Sequence, residues 1–198
     1  IKNEDKIVKY LDIPVQHGCD SVLKRMGRKT DGKSIESLVE TLRREIPDIT
    51  LRTSIITGFP GETEEEFEKL CAFLKKVRFD RVGVFAYSCE EGTPAAKMKD
   101  QIDEETKEKR RDIVMELCQE ISLKRNEEML GKTVRVITES FEDNLYYGRS
   151  GGESIEIDPK IYFGAHRELN AGDFVWVTIK NCDIYDLYGE ECERTDLE

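Results

Sequence analysis

The chain has 198 residues, room for one domain or two small ones, and carries a net charge of −11. Its residues are 38% hydrophobic and 37% charged, the balance of a soluble, cytoplasmic protein, and no apolar run approaches membrane-spanning length. The first residues, Ile1-Lys2-Asn3-Glu4-Asp5, hold neither a signal peptide's apolar core nor an initiator methionine, so the chain is expected to be a fragment of a longer one.

Tyr10 to Val15 is the first strand candidate. Ile35, Leu38, Val39, Leu42 and Ile46 recur at helical spacing and predict a helix with one apolar face. Leu51 to Thr57 reads as a buried strand that runs into Gly58-Phe59-Pro60-Gly61, where two glycines permit a tight turn. Thr63-x-x-Glu66 is a capping box, and Phe67, Leu70, Cys71, Leu74 and Val77 continue as a helix stripe. A glycine-bounded turn at the carboxyl end of a parallel strand is a common place for a ligand, although an ordinary connecting loop reads the same way. Arg81 to Tyr87 is the third strand. Beyond Gly92-Thr93-Pro94 a helix is expected from about Asp103 to Leu130, burying Ile113, Leu117, Cys118 and Ile121. Strands alternating with helices imply a parallel sheet. Three such units cannot close a barrel, and would leave a strand edge and one sheet face uncovered.

Gly131 suits the end of that helix. The period then changes: Thr133 to Ile137 and Phe174 to Ile179 alternate, and Tyr146 to Arg149 and Ile161 to Phe163 are further strand candidates. Short strands between Gly, Asn and Asp turns predict a small antiparallel barrel of the OB-like kind. The six cysteines, Cys19, Cys71, Cys89, Cys118, Cys182 and Cys192, include no two within four residues, so the close ligand pairs of zinc and iron-sulfur sites are missing. Cys71 and Cys118 are expected in the core, and disulfides are not expected in a cytosolic chain. With only His17 and His166, no nucleophile-and-base constellation is visible.

Three motifs stand in a fixed order: Tyr10-Leu11-Asp12-Ile13-Pro14-Val15-Gln16-His17, then Arg52 through Thr63, then Arg81 through Ser88 leading into Glu90-Glu91-Gly92-Thr93. The series closely resembles the radical S-adenosylmethionine methylthiotransferases. The Asp12-to-His17 stretch is most similar to the branch that modifies an aspartate of the small-subunit ribosomal protein S-twelve. Gly148-Arg149-Ser150 and Asp183 to Gly189 resemble a TRAM domain. The resemblance implies an α/β half of a partial TIM-like radical SAM barrel in residues 1–130, a TRAM barrel in 131–192 and a tail in 193–198. It also implies that the 4Fe-4S clusters of the full-length enzyme take their ligands from outside this chain, which would then be inactive alone. The reaction implied replaces a C–H hydrogen of the target aspartate with a methylthio group, with S-adenosylmethionine as methyl donor and radical source.

For that cofactor, Arg52 at the start of the central strand is the candidate for the carboxylate, since a guanidinium forms charge-assisted, often bidentate bonds; a strand-end surface role is the equal alternative. Gln16 can donate to and accept from the ribose hydroxyls. Ile56, Gly58 and Phe85 are candidates to line the adenine slot. His17 is expected to be structural rather than a base. Members of the wider superfamily carry Gly-x-Ile-x-Gly-x-x-Glu on this strand; here Ser54 replaces the first glycine and Glu62 comes one place late.

Charge separates two substrates. Residues 131–198 hold seven lysines and arginines against fifteen acidic residues, a balance of −8 in about a third of the chain. Such a module repels a phosphate backbone and attracts a basic protein. The basic ribosomal protein is therefore the expected partner. The transfer RNA of the sister branch is the alternative, and a non-catalytic binding module is a third reading. A monomer with no membrane partner is expected.

Overall fold

Residues 1–193 are described by the structure, a computed structural model, and they form two compact units. One comprises Lys2 and Leu11–Ile121; the other comprises Ile1, Asn3–Tyr10 and the chain from Ser122 onward. Of the tail assigned to 193–198, residues 194–198 lie outside the described residues.

The first unit is a three-stranded sheet in the order β1-β2-β3, where β1 is Tyr10–Asp12, β2 is Thr50–Thr57 and β3 is Arg81–Ala86. Helices α1 (Asp20–Arg25) and α2 (Gly32–Glu45) follow β1, α3 (Glu64–Val77) follows β2, and α4 (Glu104–Glu127) follows β3. β2 and β3 are parallel, with Arg52 opposite Arg81, Ser54 opposite Gly83 and Ile56 opposite Phe85. β1 is shorter than the expected Tyr10 to Val15. Pro14 has no N–H to give a ladder, and the chain turns there, with the Val15 amide bonded to the Ile13 carbonyl at 2.8 Å.

β2 was expected to be a buried strand; its burial alternates along its length. Leu51, Thr53, Ile55 and Thr57 are buried, whereas Arg52, Ser54 and Ile56 are half-buried. Leu51 and Ile55 join Val39, Leu70, Leu74 and Val114 in the core of this unit. The helices fix that core locally. Asp31 caps α2 by accepting the Ser34 amide at 2.7 Å. Thr63 and Glu66 form the reciprocal capping box of α3, satisfying two otherwise orphan amides. Two side chains depart from their expected burial. Leu38 lies at the edge of the Ile35-Val39-Leu42-Ile46 stripe and is 46% exposed; Ile113 is 41% exposed, and Val114 is buried in its place. Cys71 and Cys118 pack against the core, and burial pushes the Cys118 thiol up to about 12.

The second unit is a closed barrel in the order β4-β5-β6-β8-β7. Its strands are β4 (Thr133–Glu142), β5 (Leu145–Arg149), β6 (Ile161–Gly164), β7 (Phe174–Cys182) and β8 (Leu187–Cys192). β6 and β8 are parallel, and the other pairs are antiparallel. Val136, Ile161, Phe163, Val175, Val177, Ile179 and Leu187 fill the interior. Asp143 and Asn144 both take positive φ, 49° and 65°, in the two-residue turn joining β4 to β5, as this hairpin geometry demands. Gly148 and Gly189 sit beside register shifts in β4 and β7. A Cβ on either would collide with the neighbouring strand's backbone, at Ile137 and Thr178 respectively. Those close approaches bend the sheet into a ring with no free edge. Among the described residues, no helix is long and apolar enough to cross a membrane.

Candidate cofactor site

The register of β2 and β3 decides which candidate residues meet. Side chains two apart on a strand share a face, so Arg52, Ser54 and Ile56 on β2 lie beside Arg81, Gly83 and Phe85 on β3. This is the face opposite the buried Leu51 and Ile55. Gly83 lets the Phe85 ring lean across the face: a Cβ there would come within 3.1 Å of that ring and 3.6 Å of Arg52 Nη2. Phe85 is 55% exposed, unusual for a ring on a strand of a core sheet. Arg52 Nη1 donates to Asp12 Oδ2 at 2.5 Å, which orients the guanidinium along the sheet.

Gln16 flanks the same strand. Its amide donates to the Ser54 carbonyl at 2.9 Å, and its carbonyl accepts the Ile56 amide at 2.8 Å. Its φ is +73°, a left-handed conformation that costs a non-glycine residue of order 1 kcal/mol. The two bonds hold Gln16 in that conformation against β2. Arg52, Ile56, Phe85 and Gln16 are thus gathered around one stretch of β2.

Gly58 is placed apart from them. It is buried with φ +71°, and Lys107 occupies the space where a Cβ would be. Its amide is already committed to the Glu62 carboxylate, at 3.1 and 3.2 Å to the two oxygens. That carboxylate is the centre of a buried polar cluster. His17 Nε2 lies 3.1 Å from Glu62 Oε2, and Arg110 Nη1 donates to Glu62 Oε1 and to its carbonyl, both at 2.9 Å. The Cys19 amide donates to His17 Nδ1 at 3.0 Å. Nδ1 is therefore the acceptor, and Nε2 carries the proton it gives to Glu62. His17 is fully buried and faces away from solvent, as a structural residue does.

A second ion pair supports the start of α3. Arg25 donates to both Glu66 oxygens, at 2.9 and 2.6 Å, and to the Gly61 carbonyl at 3.1 Å. Ser21 adds a hydrogen bond to Glu66. The Arg25 bond is the largest influence holding the Glu66 carboxyl down at about 2; burial opposes it, and Ser21 and the Thr63 amide reinforce it.

Sequence reasoning noted Glu62 only as a misplaced motif residue and passed over Arg110 and Lys107 in a charged helix. A signal for both was present. Val114, Leu117 and Ile121 form the buried stripe of α4, and stepping it back by four and then three residues lands on Arg110 and Lys107. Among the described residues, no group of three or more His, Cys, Asp or Glu could hold a metal ion. The side chains present here do not fit an iron-sulfur cluster. The β2–β3 face presents the Arg52 guanidinium and the exposed Phe85 ring, groups of the kind that pair with a carboxylate and stack on a base.

Residues 1–74 match the radical SAM superfamily, and residues 130–191 match the TRAM domain. Three similar relatives each carry the name ribosomal protein uS12 methylthiotransferase RimO. That of Clostridium botulinum is 52% identical over 189 residues, 96% of this chain and 42% of the relative. Those of Desulfitobacterium hafniense and a Thermoanaerobacter species are 49% and 52% identical, each over 96% of this chain and 43% of the relative. The chain thus spans less than half the length of the relatives it matches. Among solved structures, coproporphyrinogen III oxidase (HemN) of Escherichia coli, a radical SAM enzyme, aligns with a TM-score of 0.50. That alignment is 18% identical and covers 72% of this chain and 41% of the other, a likeness of fold.

Proposed function

Because the chain belongs to the RimO family of radical SAM methylthiotransferases, we propose that it serves the methylthiolation of an aspartate in ribosomal protein uS12, in the cytoplasm and as a monomer. Residues 1–130 are assigned to the cofactor-holding half of a barrel and residues 131–192 to the TRAM barrel that meets the substrate. The observation that carries this reading is the gathering of Arg52, Ile56, Phe85 and Gln16 around β2 in a chain of this kinship.

S-Adenosylmethionine, when bound, supplies the methyl group and the radical-generating sulfonium. The chain's own residues bind and orient it. Arg52 pairs with the amino-acid carboxylate, with Asp12 fixing the guanidinium from the other side. Gln16, locked by its two backbone bonds, presents its amide to the ribose. Ile56 and Phe85 give the adenine an apolar bed and exclude water from it. Gly58, with its amide already taken, holds the turn in shape rather than contacting the base.

Arg52→Ala should weaken binding of S-adenosylhomocysteine, measured by calorimetry, by roughly 10- to 100-fold, the loss of a charged hydrogen bond worth about 1.5–3 kcal/mol. Gln16→Ala should cost less, since a neutral pair contributes less. Unchanged affinity in the Arg52 variant would remove that residue from the site.

The acidic barrel supports a basic protein as partner. Titration of the chain with uS12 and with transfer RNA at low and physiological salt tests this. Binding of uS12 that weakens with salt is expected, because surface charges are screened beyond about 8–10 Å. Tight transfer RNA binding without affinity for uS12 would transfer the assignment to the RNA-modifying branch.

A further inference from the structure

We propose that a row of three tyrosines on the outer wall of the barrel, Tyr147, Tyr162 and Tyr188, is a docking strip for an arginine- and lysine-rich protein segment. The inference rests on the reading above that the partner is a basic protein, and it assigns the contact to named side chains.

The barrel's own register builds the row. Tyr147 on β5 pairs with Tyr162 on β6, and Tyr162 pairs with Tyr188 on β8, so the three occupy adjacent positions on neighbouring strands. Their neighbours Ile161, Phe163 and Leu187 fill the interior, which places the tyrosines on the outer face. Ring centroids are 5.8 Å apart for Tyr147 and Tyr162 and 5.6 Å apart for Tyr162 and Tyr188. The second pair is stacked at 17° and the first tilted at 53°, which opens a wedge between those two rings. All three are half-buried, with part of each ring still open to solvent. They lie outside the barrel's core cluster, and the edges of three rings in a row leave a narrow aromatic strip open to solvent.

Two observations point to a cation as occupant. Lys160 Nζ already lies 3.8 Å from the centroid of the Tyr147 ring, so one member of the row holds an ammonium in a cation–π contact. Acidic groups border the other end. The Tyr188 hydroxyl donates to Asp183 Oδ2 at 2.9 Å, and Glu190 stands exposed two residues further along β8, on the same face as Tyr188. Among the described residues the Tyr147 and Tyr162 hydroxyls make no hydrogen bond, so both can bond a peptide backbone. Stacked aromatics also suit the bases of a single-stranded nucleic acid. The −8 balance of residues 131–198 disfavours a phosphate backbone and favours guanidinium and ammonium groups.

The test follows the tyrosine ring resonances of the full chain during titration with uS12, with nonaarginine peptide and with a twelve-residue oligouridine. Shifts of the Tyr147, Tyr162 and Tyr188 rings with uS12 and nonaarginine, and none with oligouridine, are expected. Tyr162→Leu should weaken uS12 binding about two- to fivefold, the size of a cation–π contact, whereas Tyr162→Phe, which keeps the ring, should bind within twofold of the parent. The ring effect should persist at high salt, while that of Glu190→Gln fades. If uS12 binds and the three rings do not move, the strip is overturned and the partner reading stands. If uS12 does not bind, the partner reading falls, and the strip then stands or falls with the ring response to nonaarginine. Ring shifts with oligouridine alone would overturn it in favour of a nucleic acid. Should Tyr162→Leu fail to fold, the ring shifts of the parent chain decide.

Discussion

Glu62→Ala should lower the unfolding free energy by about 3–5 kcal/mol, the cost of breaking a buried charge pair from one side. The Glu62 carboxylate is the meeting point of the Gly58 amide, His17 Nε2 and Arg110 Nη1. The Glu62 side chain is fully buried and that of Arg110 is 9% exposed. Removing the carboxylate strands a guanidinium left with the residue 62 carbonyl, the exposed Glu64 and the face of the Phe67 ring. Glu62→Gln should be nearly as damaging despite its similar shape. The groups around it are all donors, and an amide offers one acceptor oxygen where the carboxylate offers two. Adding Arg110→Met to Glu62→Ala should recover part of the loss, because the unpaired charge leaves with its partner. Urea unfolding of the three variants measures this. A loss under 1 kcal/mol for Glu62→Ala would show that the cluster is not a keystone of the β2–α3 turn.

The second large effect is a pH dependence centred on Glu66. Its folded-state carboxyl is held down at about 2 against an ordinary value of 4.5, chiefly by the Arg25 hydrogen bond. A carboxylate depressed in the folded state contributes stability that is present above its unfolded pKa and is lost as pH falls towards the folded one. The window is therefore from about pH 4.5 down to about pH 2. A shift of that size corresponds to about 3 kcal/mol. The chain has 42 acidic residues, so the informative quantity is the difference between the parent and Glu66→Gln. At pH 7 the parent should be more stable by about 3 kcal/mol, and the gap should close through that window. A gap that stays constant down to pH 2 would contradict the assignment of the shift to Arg25.

Local chemistry made the β2–turn–α3 segment readable in advance. Gly58 and Gly61 both take positive φ, and Thr63 and Glu66 cap as their spacing predicts. Four barrel strands were readable in advance, two of them, 133–137 and 174–179, from alternation. The fifth, β8, was not: Leu187-Tyr188-Gly189-Glu190-Glu191-Cys192 has one buried residue and two adjacent acids, and is a strand because β6 and β7 flank it. The burial of Lys107 and Arg110 escaped a reading that took charge as a mark of exposure. Arg110 pairs with Glu62, far off in sequence, and Lys107 lies over the distant Tyr87 ring while its ammonium pairs with Glu104 on the same helix. The candidate site was legible in its residue types but not in its geometry. Composition cannot show that Gln16 adopts a left-handed backbone or that Gly58 spends its amide on Glu62.

The placement of β8 between β6 and β7 also orders events during synthesis. A nascent chain that has not yet reached Leu187 holds β4 and β5 as a local hairpin, but β6 and β7 each lack the neighbour they share. Both then present bare backbone to whatever else is in the cell. The parallel β6–β8 pairing joins strands separated in sequence by the whole of β7 and forms slowly compared with hairpins. The barrel therefore passes through an interval in which most of its strands exist and its ring is open, and a translational pause before Leu187 would lengthen the time it depends on chaperones.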